Sequence, residues 1–119
     1  MAVILVVEDD PAMMKLATDI LQAADHAVVQ APDGPDAIQI CRERHVDVLL
    51  ADMILPHLDG VTVFEQCRRK LPHLEAVLMS GYSPSFLRER FTFPFGVVLL
   101  EKPFSPGVLI SAVKQALRQ

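Results

Sequence analysis

Tryptophan is absent, tyrosine occurs once, and only two cysteines are found among 119 residues. Cys41 and Cys67 form no Cys-x-x-Cys pair and have no histidine at ligand spacing, which argues against a zinc ribbon or a disulfide scaffold. Both are expected as buried or half-buried thiols. No apolar run approaches the roughly 18 consecutive residues of a membrane span, so no membrane contact by this domain is expected. Met1–Asp10 lacks the basic, apolar and small-residue succession of a secretory signal, and the expected location is the cytoplasm. Basic side chains are outnumbered 11 to 15, for a formal charge of −4. No Arg/Lys stripe is long enough to follow a phosphate backbone, so direct nucleic-acid binding is not expected. Neither a low-complexity linker nor an internal repeat divides the chain, and one domain over residues 1–119 is the expectation.

The apolar residues come in short blocks. Val3–Val7 is a continuous β-branched and leucine run that suits a strand buried on both faces. Pro11 fits the first turn of a following helix, with Asp9 or Asp10 at its cap and Met13 or Met14, Ala17, Ile20, Leu21 and Ala24 on one side. The pattern then repeats. Val28–Ala31 reads as a strand, Pro32–Pro35 as a turn, and Ala37, Ile38 and Cys41 as the apolar side of a helix ending near Arg44. Val46–Ala51 reads as a third strand. Asp59 caps a third helix with Val63, Phe64 and Cys67 inward, closed by Pro72. Ala76–Met79 and a short helix around Ser85–Arg90 form the fourth unit. Val97–Leu100 and a helix over about Gly107–Leu117, with Leu109, Ile110, Val113 and Leu117 on one side, form the fifth. Five strand–helix alternations predict an α/β domain with a doubly wound parallel sheet, because right-handed crossovers lay helices on both faces.

Glu8, Asp9 and Asp10 follow the first strand, and Asp52 stands at the mouth of the third. Open parallel sheets place ligands at the carboxyl ends of their strands. Like charges gathered there need a cation or a proton, which points to a divalent-metal pocket around one reactive carboxylate. Taken singly, each acid is as well explained as a helix cap or a turn residue.

The residues in combination say more. Val6-Val7-Glu8-Asp9-Asp10-Pro11, Asp47-Val48-Leu49-Leu50-Ala51-Asp52-Met53-Ile54-Leu55-Pro56, Asp59-Gly60, Met79-Ser80-Gly81-Tyr82 and Glu101-Lys102-Pro103-Phe104 occur in that order. Together they resemble the response-regulator receiver domain of two-component signalling, of the chemotaxis-receiver type. The resemblance runs from Ile4 through the last helix. It implies a flavodoxin-like (βα)5 fold with strand order 2-1-3-4-5, which would set the first and third strands side by side.

The resemblance also implies roles. Asp52 would be the phosphorylated nucleophile, taking a phosphoryl group from a histidine kinase phosphohistidine. Glu8, Asp9, Asp52 and the backbone carbonyl of Ile54 would form the metal site, for Mg2+ with Mn2+ as a substitute. Lys102 would pair with Asp52 in the absence of phosphate and bind phosphate alongside Ser80 and Gly81. The Lys102–Pro103 bond would be cis. Ser80 would act as the switch hydroxyl, with its partner position, usually aromatic, filled by Leu99. The domain would be a phosphoacceptor and not a conventional turnover enzyme.

The softer likeness of the Met79–Tyr82 and Glu101–Phe104 segments is to receiver modules of hybrid sensor histidine kinases. Partners would then be a sensor kinase or its phosphohistidine domain. Phe86, Phe91, Phe93 and Phe95 crowd one segment, and at least two are expected in the core. Any left exposed would join the last strand–helix unit as a surface for a second copy or an effector. Two other readings compete: a pseudo-receiver that binds partners without phosphotransfer, and a small metal-dependent phosphatase.

Overall fold

Side chains of the apolar runs alternate between two separate cores in the computed structural model, which describes residues 1–118. Ile4 and Val6, Val48 and Leu50, and Val77 and Met79 enter one cluster; Leu5 and Val7, Leu49 and Ala51, and Ala76 and Leu78 enter the other. A strand with a period of two can do this only when both faces of its sheet are covered.

The strands are β1 Val3–Val7, β2 Ala27–Ala31, β3 Val48–Asp52, β4 Glu75–Ser80 and β5 Val98–Glu101. All pairings are parallel and the order is β2-β1-β3-β4-β5, as the resemblance implied. The helices are α1 Pro11–Ala23, α2 Gly34–Glu43, α3 Gly60–Lys70, α4 Pro84–Arg90 and α5 Pro106–Leu117. The first cluster lies under α1 and α5, the second under α2 and α3. Each helix starts at a side-chain cap: Asp10, Asp33, Asp59, Ser83 and Ser105 accept hydrogen bonds from amides inside their first turns.

Three expectations need correction. Pro32–Pro35 is not wholly a turn: Asp33 caps α2, and Pro35 lies within its first turn, where a missing N–H costs nothing. Leu117 is exposed, and the buried stripe of α5 is Leu109, Ala112, Val113 and Ala116, whose two alanines are small enough to let the helix approach the sheet. None of the four phenylalanines between 86 and 95 is buried. Phe93 is half-buried and packs against the α2–α3 core, Phe86 is half-buried on α4, Phe91 and Phe95 are exposed, and Leu87 is the buried residue of α4. Both thiols are buried, as expected, with Cys67 donating to the Ala37 carbonyl at 3.8 Å.

Candidate functional site

Parallel pairing brings the carboxyl ends of β1, β3, β4 and β5 to one rim, and the chemistry-bearing residues follow directly. Val7 pairs with Ala51, Asp52 with Met79, and Ser80 with Glu101. Backbone bonds extend the ladder past the strands: Met53 N–H donates to Met79 at 2.8 Å, and Lys102 N–H to Ser80 at 2.7 Å. Glu8, Asp52, Ser80 and Lys102 are thereby held on adjacent strand ends.

Lys102 is the centre of this rim. Its ammonium donates to Glu8 Oε1 at 3.0 Å and to Asp52 Oδ2. The Asp52 contact was expected; the Glu8 contact was not. Ninety-four positions separate Glu8 from Lys102, and no local pattern signals a pairing over that span. The other Glu8 oxygen accepts the Asp9 N–H at 3.0 Å. Asp52 Oδ1 accepts the Ile54 N–H at 2.9 Å, which fixes the plane of the carboxylate and turns Oδ2 to the lysine. The Lys102–Pro103 peptide bond is cis, in line with the resemblance.

The remaining candidates are placed less directly. Asp9 is exposed beside Glu8. Ser80 is buried, and its hydroxyl oxygen accepts the Tyr82 N–H at 3.0 Å. Gly81 lies on the exposed loop that follows. Ile54 holds its side chain out to solvent at 71 % exposure. Leu99, three positions before Lys102, is half-buried against the α2–α3 core and pairs in register with Leu78.

Electrostatics mark the rim as unbalanced. Burial pushes the Glu8 carboxyl above its ordinary 4.5; Lys102 opposes this, while Asp52 and Asp9 add to it. Burial also works against the Lys102 ammonium, but hydrogen bonds to Asp52 and Glu8 outweigh it and hold the group above its ordinary 10.5. One ammonium therefore faces the two carboxylates of Glu8 and Asp52, with Asp9 exposed beside them. Among the described residues no three His, Cys, Asp or Glu side chains close into a metal cage of their own.

A pH dependence follows from the Glu8 shift. Between 4.5 and its raised value the folded state holds the Glu8 proton and the unfolded chain does not, so stability falls as pH rises through that window. Asp47, which is held below its ordinary 3.8, acts with the opposite sign and at lower pH. Urea unfolding in EDTA at several pH values should show the fall in the native chain and not in Glu8→Gln. Equal slopes for the two would contradict this assignment.

Two features were not read from the sequence. A Cβ on Gly60 would lie 2.6 Å from the Asp52 carbonyl oxygen, so the start of α3 is wedged against the strand that carries Asp52. A cavity of about 450 Å3 also opens beside Ser80, between the loop after β3 and α4. Its signal was available in Tyr82, Phe86 and Arg90, which recur every fourth residue.

Comparisons with known proteins agree with this geometry. The family model described as response regulator receiver domain matches residues 4–114. The crystal structure of the receiver domain of hybrid histidine kinase CckA is 33 % identical, with a TM-score of 0.82, over 97 % of this chain and 98 % of that one. Sensor kinase CckA of Brucella abortus (strain 2308) is 29 % identical over 99 % of this chain, which spans only 13 % of the kinase. Polar-differentiation response regulator DivK of Brucella ovis is 26 % identical over 96 % of this chain and 94 % of its own length. With the sheet order and the family match in agreement, the chain belongs to the response regulator receiver domain family, whose members serve as phosphoacceptors in signalling and not as turnover enzymes.

Proposed function

We propose that Asp52 accepts a phosphoryl group from a histidine kinase phosphohistidine, and that the receiver unit of residues 1–119 changes shape in response. The observation that carries this reading is the hydrogen-bonded set Glu8–Lys102–Asp52 on the rim of a receiver sheet. The Oδ2–P bond forms as the phosphorus–nitrogen bond breaks, and the imidazole leaves. Lys102 moves from Asp52 to the incoming phosphoryl oxygens, where a point charge on a flexible stem can follow the shift. The Ser80 oxygen is already engaged as an acceptor, which leaves its O–H to donate to a phosphoryl oxygen. The Gly81 N–H adds a second donor. Leu99, three positions before Lys102 and packed on the α2–α3 core, would support the switch by repacking, without the ring of an aromatic.

The donor set suits Mg2+, with Mn2+ as a substitute. It is all oxygen and short of positive charge, and Mg2+ takes one or two carboxylates, keeps several waters and needs no closed cage. Glu8, Asp9 and Asp52 would hold it with the Ile54 carbonyl, and when bound it would neutralise charge on the phosphoryl oxygens. The phosphodonor is a sensor histidine kinase or its phosphohistidine domain, and the receiver acts in the cytoplasm. Phe91 and Phe95 are the apolar side chains of the 86–95 segment most open to an effector or a second copy.

Incubation with acetyl phosphate tests the proposal. With Mg2+ the intact mass should rise by one phosphoryl group, and with EDTA it should not. No rise with either metal would favour an interaction domain without phosphotransfer. Sustained phosphate release over many turnovers would favour a phosphatase.

A further inference from the structure

The cavity beside Ser80 is walled mainly by apolar and aromatic side chains, and the phosphoryl chemistry proposed above leaves most of it unused. Its volume, about 450 Å3, lies in the range of small-molecule sites. One wall is a continuous stack: the Tyr82 and Phe86 rings lie 4.8 Å apart and 18° from parallel, and the Arg90 guanidinium covers Phe86 at 4.4 Å. Tyr82 is 53 % exposed, so the stack is open at that end.

The polar groups are few and of unequal availability. Arg90 has no carboxylate within ion-pair distance among the described residues. Asp59, the only carboxylate on the wall, is committed to capping α3 through Thr62 N–H at 2.8 Å. His57 borders the same space from a left-handed backbone, φ 72°, uncommon for a residue with a side chain. A planar ring lying lengthwise along this wall can meet the edges of the Tyr82 and Phe86 rings, and a negative charge at its end can meet the uncommitted guanidinium edge.

We propose that this groove binds a small planar aromatic anion, with its ring along the edges of Tyr82 and Phe86 and its charge at Arg90. The occupant is a small molecule: the groove is one compact recess with a single charged anchor, not an extended track for a peptide. On the phosphoacceptor reading above, its occupancy is linked to that of Asp52, because Ser80 and Ile54 border both sites.

The test titrates 2-naphthoate into the full chain. Emission from Tyr82, in a protein with one tyrosine and no tryptophan, follows binding once it is corrected for absorption by the ligand. Amide NMR shifts map the site. One saturable site is expected, with shifts confined to 53–59 and 80–91. Uncharged 2-naphthamide should bind roughly tenfold more weakly, as a charge-assisted hydrogen bond is lost. Arg90→Met should abolish that difference, and Phe86→Leu should weaken both ligands.

Equal binding of acid and amide, a difference that survives Arg90→Met, or unsaturable shifts spread over the surface would overturn the site. Binding of a peptide surface alone, with no response to 2-naphthoate, would also overturn it. Beryllofluoride with Mg2+ should change the 2-naphthoate affinity about fivefold. An unchanged affinity with beryllofluoride bound at Asp52 overturns the linkage, whereas failure of beryllofluoride to bind tells against the phosphoacceptor reading and leaves the groove standing.

Discussion

Lys102→Met should slow phosphoryl uptake from acetyl phosphate by about a hundredfold or more, the scale on which removal of one preorganised charge-stabilising group is felt. The lysine is the sole cation in contact with both Glu8 and Asp52 among the described residues. Without it, phosphoryl oxygens would enter a rim of carboxylates with no ammonium to receive them. Lys102→Arg should restore little of the rate. A guanidinium keeps the charge, but its planar fork cannot sit as a point donor between Oε1 and Oδ2 and then move to phosphate. Uptake is measured by intact mass against time at saturating Mg2+. A Lys102→Met rate within a few-fold of the native chain would show that the lysine is a structural counter-ion only.

Gly60→Ala should destabilise the fold by about 3 kcal/mol, near the upper end of ordinary overpacking. The added Cβ meets backbone, not a side chain that can turn away: the Asp52 oxygen at 2.6 Å and the Met53 Cα at 3.2 Å. The contact cannot relax by moving α3 alone. Gly60 N–H is bonded to the Met53 carbonyl at 2.9 Å, and Ile54 pairs with Asp59 across the same loop. Any relief must therefore shift the loop whose Ile54 amide orients the Asp52 carboxylate, so uptake should fall together with stability. Urea unfolding with acetyl phosphate kinetics on the folded fraction tests both. Native stability in the variant would contradict the close packing at Gly60.

What could be read from the chain was local or patterned. Val3–Val7 is apolar throughout because both faces of β1 are buried, and Asp59 announces α3 because a cap acts within three residues. The strand order was not local. It came from likeness to receiver domains, since the hydrophobic pattern is the same for any arrangement of doubly covered strands. The same limit hid the Glu8–Lys102 contact, which depends on β1 and β5 ending at one level of the sheet.

Composition misled at the phenylalanines. The segment 91–97 is irregular and crosses the surface, so Phe91 and Phe95 remain in solvent while Leu87 is the buried side chain of α4. Leu117 misled for a related reason: it stands at the margin of an α5 stripe in which alanine size, not leucine bulk, sets the approach to the sheet. At the rim itself, residue types were legible and geometry was not. Glycine at 60 reads as a helix start, and its role as a spacer against Asp52 emerges only in three dimensions.

Chemical trapping tests most directly the proposed attack of the Asp52 carboxylate oxygen on phosphorus. Protein phosphorylated by a histidine kinase in Mg2+ is treated with borohydride, which reduces an acyl phosphate to the alcohol, and the peptides are sequenced by mass spectrometry. The predicted result is homoserine at position 52 and unmodified Glu8, Asp9 and Asp59. Trapping at another carboxylate, or a phosphorylated protein with intact aspartate at position 52, would contradict the account.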